Sequence, residues 1–400
     1  MSRLLFHLNV KSRHHLRPWL CLAPLTLTIL GCLFSESCAA GGDYWVYFGT
    51  YSGPKSQGIY VSRMDAAGKL SAPEVAAATT NPAFLAVDPK HRFLYAANET
   101  DNYEGHNHGA VSAFALDAET GRLTALNEQS TIGAGPCHAQ VDATGETLLV
   151  ANYGSGSVAA FPVKADGSLG SATSFIQHEG SSVNPQRQAG PHGHCIIPDP
   201  ANRFALVCDL GLDKVLIYKL DAAKAKLTPN NPPFAITRAG AGPRHLAFHP
   251  NGKYVYVIDE LDCTMAVFRY DAKRGVLSEI QSISTLPADT TNQPGFTTAE
   301  VVVHPSGKFL YGSNRGHNSI SVFKINKKTG KLALVDNVPS GGKTPRCFNI
   351  DPTGGFLLAA NQGSGNVVAF RINPDTGRLT PTGQELKVGN PVCVVFAPVK

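Results

Sequence analysis

The chain has 400 residues, enough for one large all-β domain or two smaller ones. Hydrophobic residues make up 43% and charged residues 16%, which excludes a disordered chain, and 39 glycines with 27 prolines favour many tight turns over long helices. The net charge is +5, of which residues 1–40 carry +3 (Arg3, Lys11, Arg13 and Arg17 against Glu36), so the rest gives no reason to expect nucleic acid or an anionic membrane as partner.

Taken from the start, the first segment reads as an export signal. The basic residues Lys11, Arg13 and Arg17 precede an uncharged run from Pro18 to Ser35, and the small residues Ser37-Cys38-Ala39-Ala40 follow it. This is the order of a secretory signal peptide over residues 1–40, and Pro24 and Gly31 within so short a run argue against a retained membrane span. Ile29-Leu30-Gly31-Cys32 also matches a lipobox, in which Cys32 would carry a lipid anchor. The expectation is an exported chain, periplasmic or extracellular, tethered if Cys32 is lipidated. Six cysteines lie beyond Ala40 with no C-x-x-C pair; most fall in apolar strand-like runs, so they are expected to be buried free thiols.

From residue 43 onward a short unit repeats: an apolar run, an Asp or His at a turn, usually Pro and often Gly, a second apolar run, then Asn or Asp. With the turn residue as landmark the copies fall at Asp88, Asp142, Asp199, His249, His304 and Asp351, with a weaker one at Ala397-Pro398. Ten residues after the first six stand Asn98, Asn152, Asp209, Asp259, Asn314 and Asn361. Each unit reads as four short strands; in the fourth they are Leu246–Phe248, Tyr254–Ile258, Met265–Tyr270 and about Leu277–Ser284. Four-stranded units recurring every ~50 residues predict an all-β, seven-bladed β-propeller over 43–400. The seventh blade is expected to be shared by Val392–Phe396 and the N-terminal strands Tyr44–Thr50 and Gly58–Ser62, which abolishes the open edges.

The same register suggests a site. In a propeller the first strand of each blade lines the central channel, so residues five before and eleven after a landmark should open on one face. The first series is Ala83, Cys137, His194, Arg244, Ala299, Arg346 and Val392; the second is Glu99, Tyr153, Leu210, Glu260, Arg315 and Gln362. The ionisable members His194, Arg244, Glu260, Arg315 and Arg346 fall in consecutive units three to six, with His138, His245 and Glu300 one position further along. An excess of arginine at one channel mouth suits an anionic ligand, and His and Glu among them can supply acid–base chemistry. Gly154-Ser-Gly-Ser reads as a strand turn with no helix after it, and Glu104, His106 and His108 as part of a solvated loop, so no metal site and no cofactor is expected.

The segments Pro191-His-Gly-His194, Asp209-Leu-Gly-Leu-Asp213, Gly242-Pro-Arg-His-Leu-Ala-Phe-His249, Asp259-Glu260-Leu, Ala299-Glu300-Val, Ser313-Asn-Arg-Gly-His317 and Pro345-Arg346 resemble, in order, the seven-bladed lactonase family. That family includes one type of bacterial 6-phosphogluconolactonase and a related fungal carboxy-muconate cyclase. The resemblance covers essentially all of 43–400. It implies a metal-independent ester hydrolase acting on an anionic sugar lactone such as 6-phosphogluconolactone, in a monomer. His194, Arg244, Arg315 and Glu260 match the cyclase's proposed catalytic residues, with His192 a close competitor of His194. In that reading Glu260 or His194 activates water, Arg244 and Arg315 stabilise the oxyanion, and Arg346, or Arg187 from the long loop Gln177–Pro191, holds a substrate carboxylate or phosphate. His192 and Glu300 complete the expected substrate contacts. The family's lactonases of the pentose phosphate route work in the cytoplasm, so the export signal is a departure that bears on whether this substrate is phosphorylated. A muconate-type lactone cycloisomerase, or a non-catalytic exported binding propeller, are the alternative readings.

Overall fold

The computed structural model describes residues 42–400; the expected signal peptide and the lipobox at Cys32 lie outside them. Seven sheets of four antiparallel strands follow one another around a ring. In the first six blades the strands run inner to outer in chain order, as in blade 4, with Pro243–Phe248, Tyr254–Asp259, Thr264–Asp271 and Val276–Ser284. The strand edges lie close to the sequence expectation, except that the inner strand starts three residues earlier, at Pro243. Among the described residues the one helical element is the short 3-10 turn Ala222–Lys224, and no helix is long and apolar enough to cross a membrane.

Blade 7 is composite. Its inner strand is Pro391–Pro398 from the C-terminal end, and its outer three are Tyr44–Thr50, Gly58–Met64 and Glu74–Ala78. Tyr44 pairs with Pro398 and Phe48 with Val394, so two chain ends close the ring by ordinary strand pairing.

The landmark residues form the inner hairpins. The Asp88 carboxylate accepts from the backbone N–H groups of Arg92 and Phe93, and Asp142 does the same for Glu146 and Thr147. His249 and His304 fill this place differently: each accepts at Nδ1 from the turn and donates from Nε2 to a glycine carbonyl of the next blade, Gly307 and Gly354. The amides ten residues on tie the connections between blades. Asn152 donates to Thr131 O, Asn314 to Thr285 O and Asn361 to Ser340 O, each carbonyl lying on the chain that enters that blade. In blade 3 the equivalent Asp209 takes a 2.6 Å bond from His178 Nδ1.

Seven apolar clusters fill the seven interfaces between neighbouring blades. Tyr95, Val111 and Phe161, for example, join blades 1 and 2. Burying one such side chain contributes about 1.5–3 kcal/mol, so the interfaces hold the ring together. Tyr47, Tyr95, Tyr256 and Tyr311 each pass a hydroxyl hydrogen bond to a glycine carbonyl of the next blade, Gly121, Gly167, Gly330 and Gly377. These four glycines have φ between +71° and +85°, a turn conformation that disfavours a side chain. All six cysteines of the described residues are buried free thiols.

Candidate active site

Every inner strand carries a register shift at its channel-mouth end. The pairing jumps across Ala83, Cys137, His194, Arg244 and Arg346, across Ala299-Glu300, and across Val392 in the composite blade. A β-bulge of this kind re-aims a side chain out of the normal alternation. The residue five before each landmark is the bulged one, which is why that series comes together at the mouth.

There the chain forms a cavity of about 230 Å³ lined by Tyr51, Glu99, Tyr153, Arg187, His194, Glu260, Arg315 and Arg346. It is smaller than the ~300–1,000 Å³ typical of pockets for larger ligands, which suits a compact molecule. Five of the eight expected site residues line it: His194, Glu260, Arg315, Arg346 and Arg187. Arg244 lies behind Glu260, 2% exposed, with Nε 3.1 Å from Glu260 Oε2 and Nη1 donating to Ala299 O.

Two expected substrate contacts are corrected by the geometry. His192 stands on the connection before the blade 3 inner strand and stacks on Tyr153 at 4.5 Å, donating from Nδ1 to the Tyr153 carbonyl; it supports the wall and is not part of it. Glu300 follows the mouth position along its strand and so lies deeper. It accepts from His245 Nδ1 at 3.0 Å and lines a separate cavity of about 320 Å³ on the channel side away from the mouth. Between the two cavities the axis is filled by rings: His194 packs on His245 at 5.1 Å, His245 on His138 at 5.3 Å and His138 on Phe84 at 4.1 Å. Tyr51, Glu99 and Tyr153 were not among the expected site residues. Glu99 and Tyr153 belong to the series eleven after a landmark, but Tyr51 has no landmark before it. Aligning Phe48-Gly-Thr50-Tyr51 with Ala96-Ala-Asn98-Glu99 would have exposed it.

The electrostatics centre on Glu260. Its Oε1 accepts from Arg187 Nη2 at 2.6 Å, and its Oε2 faces Arg244 Nε at 3.1 Å and Arg315 Nη2 at 2.9 Å. Burial alone would raise its carboxyl, but Arg315, Arg244 and Arg187 together hold it at about 2. Burial brings Arg315 down to about 10 despite Glu260 beside it. Burial, reinforced by Arg244 and His245, pushes His194 well below the usual imidazole range, so its ring is neutral. Cys137 Sγ lies 3.6 Å from His194 Nδ1, but burial raises its thiol far above the usual range, which leaves it a poor nucleophile. Arg187, Arg244, Arg315 and Arg346 face two site carboxylates, Glu260 and Glu99, an excess of two positive charges. Among the described residues no group of three or more His, Cys, Asp or Glu side chains is arranged to hold a metal ion.

The fold has known counterparts. Residues 45–396 match the family described as lactonase, 7-bladed beta-propeller. The chain is 41% identical over 355 residues to a 6-phosphogluconolactonase of Bacillus subtilis, covering 88% of this chain and 98% of that one. It is 31% identical to a 6-phosphogluconolactonase of Pectobacterium carotovorum over 74% of this chain and 82% of that one. The solved structure of the periplasmic gluconolactonase PpgL of Pseudomonas aeruginosa superposes with a TM-score of 0.84 at 33% identity, covering 90% of this chain and all of that one. The chain therefore belongs to the seven-bladed β-propeller lactonase family.

Proposed function

We propose that this protein hydrolyses a sugar lactone of the 6-phosphogluconolactone type at the channel mouth, with His194 as the water-activating base. The observation that carries the reading is a small cavity in which arginines outnumber carboxylates, three to two, with a neutral imidazole in its wall. The names of the relatives as 6-phosphogluconolactonases and a gluconolactonase support the substrate class.

Of the two bases considered, Glu260 is the poorer. A carboxylate bound by three guanidinium groups and held near 2 has little affinity for a proton, whereas neutral His194 has a nitrogen lone pair to offer. In the proposed reaction His194 takes a proton from water as the oxygen adds to the lactone carbonyl. The charge that develops on the carbonyl oxygen is met by Arg315, whose Nη2 is spent on Glu260 and Thr298 O but whose Nη1 has no acceptor among the described residues. Collapse of the tetrahedral adduct breaks the acyl–oxygen bond of the ring, and His194 returns the proton to the departing alkoxide. Glu260 and the buried Arg244 act together as the brace that holds Arg315 and Arg187 in place.

The N-terminal segment makes this an exported enzyme in the same proposal, and N-terminal sequencing of the mature chain from a cell-envelope or medium fraction tests it. The catalytic reading is tested by following the opening of 6-phosphogluconolactone, glucono-1,5-lactone and a muconolactone above the buffer rate. The expected result is enzyme-dependent opening of a sugar lactone that falls by about 100-fold or more in a folded His194→Asn variant, the range of one acid–base group. Full activity in that variant would remove His194 from the mechanism, and no acceleration on any lactone would leave a binding propeller.

A further inference from the structure

The two arcs of the cavity wall are chemically different. Blades 3 to 5 and the loop before them supply His194, Glu260, Arg315 and Arg187, the groups given to the reacting carbonyl above. Opposite them, blades 6, 7 and 1 supply Arg346, Tyr51 and Glu99, one from each. These three are not needed for water activation or for the oxyanion.

Their hydrogen bonding sets Glu99 apart from Glu260. Glu99 Oε2 accepts a 2.6 Å bond from the Tyr51 hydroxyl, while Oε1 has no hydrogen-bond partner among the described residues. Its side chain keeps 23% of its surface accessible, against 5% for Glu260, so the free oxygen faces the cavity. The backbone that carries this carboxylate is also fixed. The backbone N–H of Glu99 donates to Asn81 O at 2.9 Å, and Asn81 Nδ2 donates back to Glu99 O at 3.1 Å. Arg346 lies 3.9 Å from Glu99 Oε2, beyond hydrogen-bond reach, and sits over the Tyr51 ring at 5.3 Å. The arc thus presents an oriented anionic acceptor beside a cation that has donors to spare.

A free carboxylate oxygen selects hydrogen-bond donors. A lactone carbonyl, a ring oxygen, an ionised carboxylate and a fully ionised phosphate have none, and the last two are repelled. A hydroxyl group is both donor and acceptor, so it can satisfy Glu99 and Arg346 together. We propose that Glu99, oriented by Tyr51 and paired with Arg346, is the specificity-determining carboxylate that reads the hydroxyl groups of a polyhydroxylated lactone. This deepens the reading above and rests on it for the identity of the reacting end. It also explains how the site would favour a sugar lactone over a muconate-type lactone, which lacks those donors.

The test separates binding from chemistry. Titration calorimetry measures the affinity of the folded chain for D-gluconate and for 5-hydroxypentanoate, which share a carboxylate and differ in hydroxyl groups. The wild type is expected to bind gluconate more tightly. Glu99→Gln, nearly the same shape, is expected to weaken gluconate by about tenfold, the scale of one charge-assisted hydrogen bond, and 5-hydroxypentanoate less than twofold. Tyr51→Phe should weaken gluconate by a smaller factor, because it removes the hydroxyl that orients the carboxylate. Equal affinity of the wild type for both ligands, parallel losses for both in Glu99→Gln, or an unchanged gluconate affinity with a lost rate on glucono-1,5-lactone would each overturn the proposal. A chain that opened no lactone but kept the gluconate preference would refute the hydrolase reading and leave the role of Glu99 standing.

Discussion

Arg187 Nη2 lies 2.6 Å from Glu260 Oε1, so a loop arginine from outside the repeat closes onto a carboxylate buried in blade 4. Arg187 also reaches the Tyr153 hydroxyl at 3.3 Å and keeps 38% of its side-chain surface exposed. Behind the same carboxylate, Arg244 is almost fully enclosed. One anion therefore organises two arginines of very different burial, and they should fail differently when removed.

Replacing Arg187 by Ala should cost little stability, below about 1 kcal/mol, because a partly exposed ion pair is screened by water. Its effect should appear as weaker binding of an anionic ligand and slower lactone opening. Replacing Arg244 by Ala breaks a buried pair and should cost about 3–5 kcal/mol. Urea unfolding of both variants beside the wild type measures the difference; equal losses of stability would mean that burial does not separate their roles.

The pH dependence follows from the same carboxylate. Folded Glu260 titrates at about 2, below its ordinary value of 4.5. A depressed carboxyl contributes stability that is complete above the unfolded value and is lost as pH falls through the folded one. The stability gap between the wild type and Glu260→Gln should therefore be constant from pH 7 to about 5, and narrow as the pH falls from about 4.5 towards 2. Denaturant melts across that range check it, and a gap that closed already near pH 6 would contradict the arginine cage.

Deletion of Pro391–Lys400 should abolish cooperative folding. It removes the inner strand of the composite blade, strips Tyr44–Thr50 of its inner partner and opens the apolar interfaces of blade 7 with blades 6 and 1. Circular dichroism melts and light scattering of the truncated chain would show broad unfolding and aggregation. A sharp transition at the wild-type temperature would mean that ring closure does not hold the fold.

Much of the architecture is legible in the sequence because it is local. Asp88 bonds residues four and five further on, and Asn152 binds the loop just before its own blade, so each repeat carries its turn and its tether within about 20 residues. Counting from the landmark then placed His194 and Arg346 at the mouth, since each inner strand bulges at the same point, and Arg315 at the end of a second strand that returns to the same face. Tyr51 escaped because its inner strand comes from the other end of the chain, which leaves no landmark to count from. Glu300 and His192 were misplaced because one residue along a strand, or one residue before it, changes depth in the channel without changing the sequence motif.

The sequence by itself determined the repeat, the number of blades, the closure by both ends and the family, because hairpin turns and strand alternation depend on neighbours in the chain. Only the tertiary structure decided which charges meet. Arg187 lies 73 residues from Glu260 on a loop outside the repeat, and Tyr51, one repeat before Glu99, meets it only because the two chain ends close the ring. Seven strands converging on one axis bring these groups within hydrogen-bond distance, and their burial there makes Glu260 a brace for arginines and leaves Glu99 with an oxygen open to the cavity.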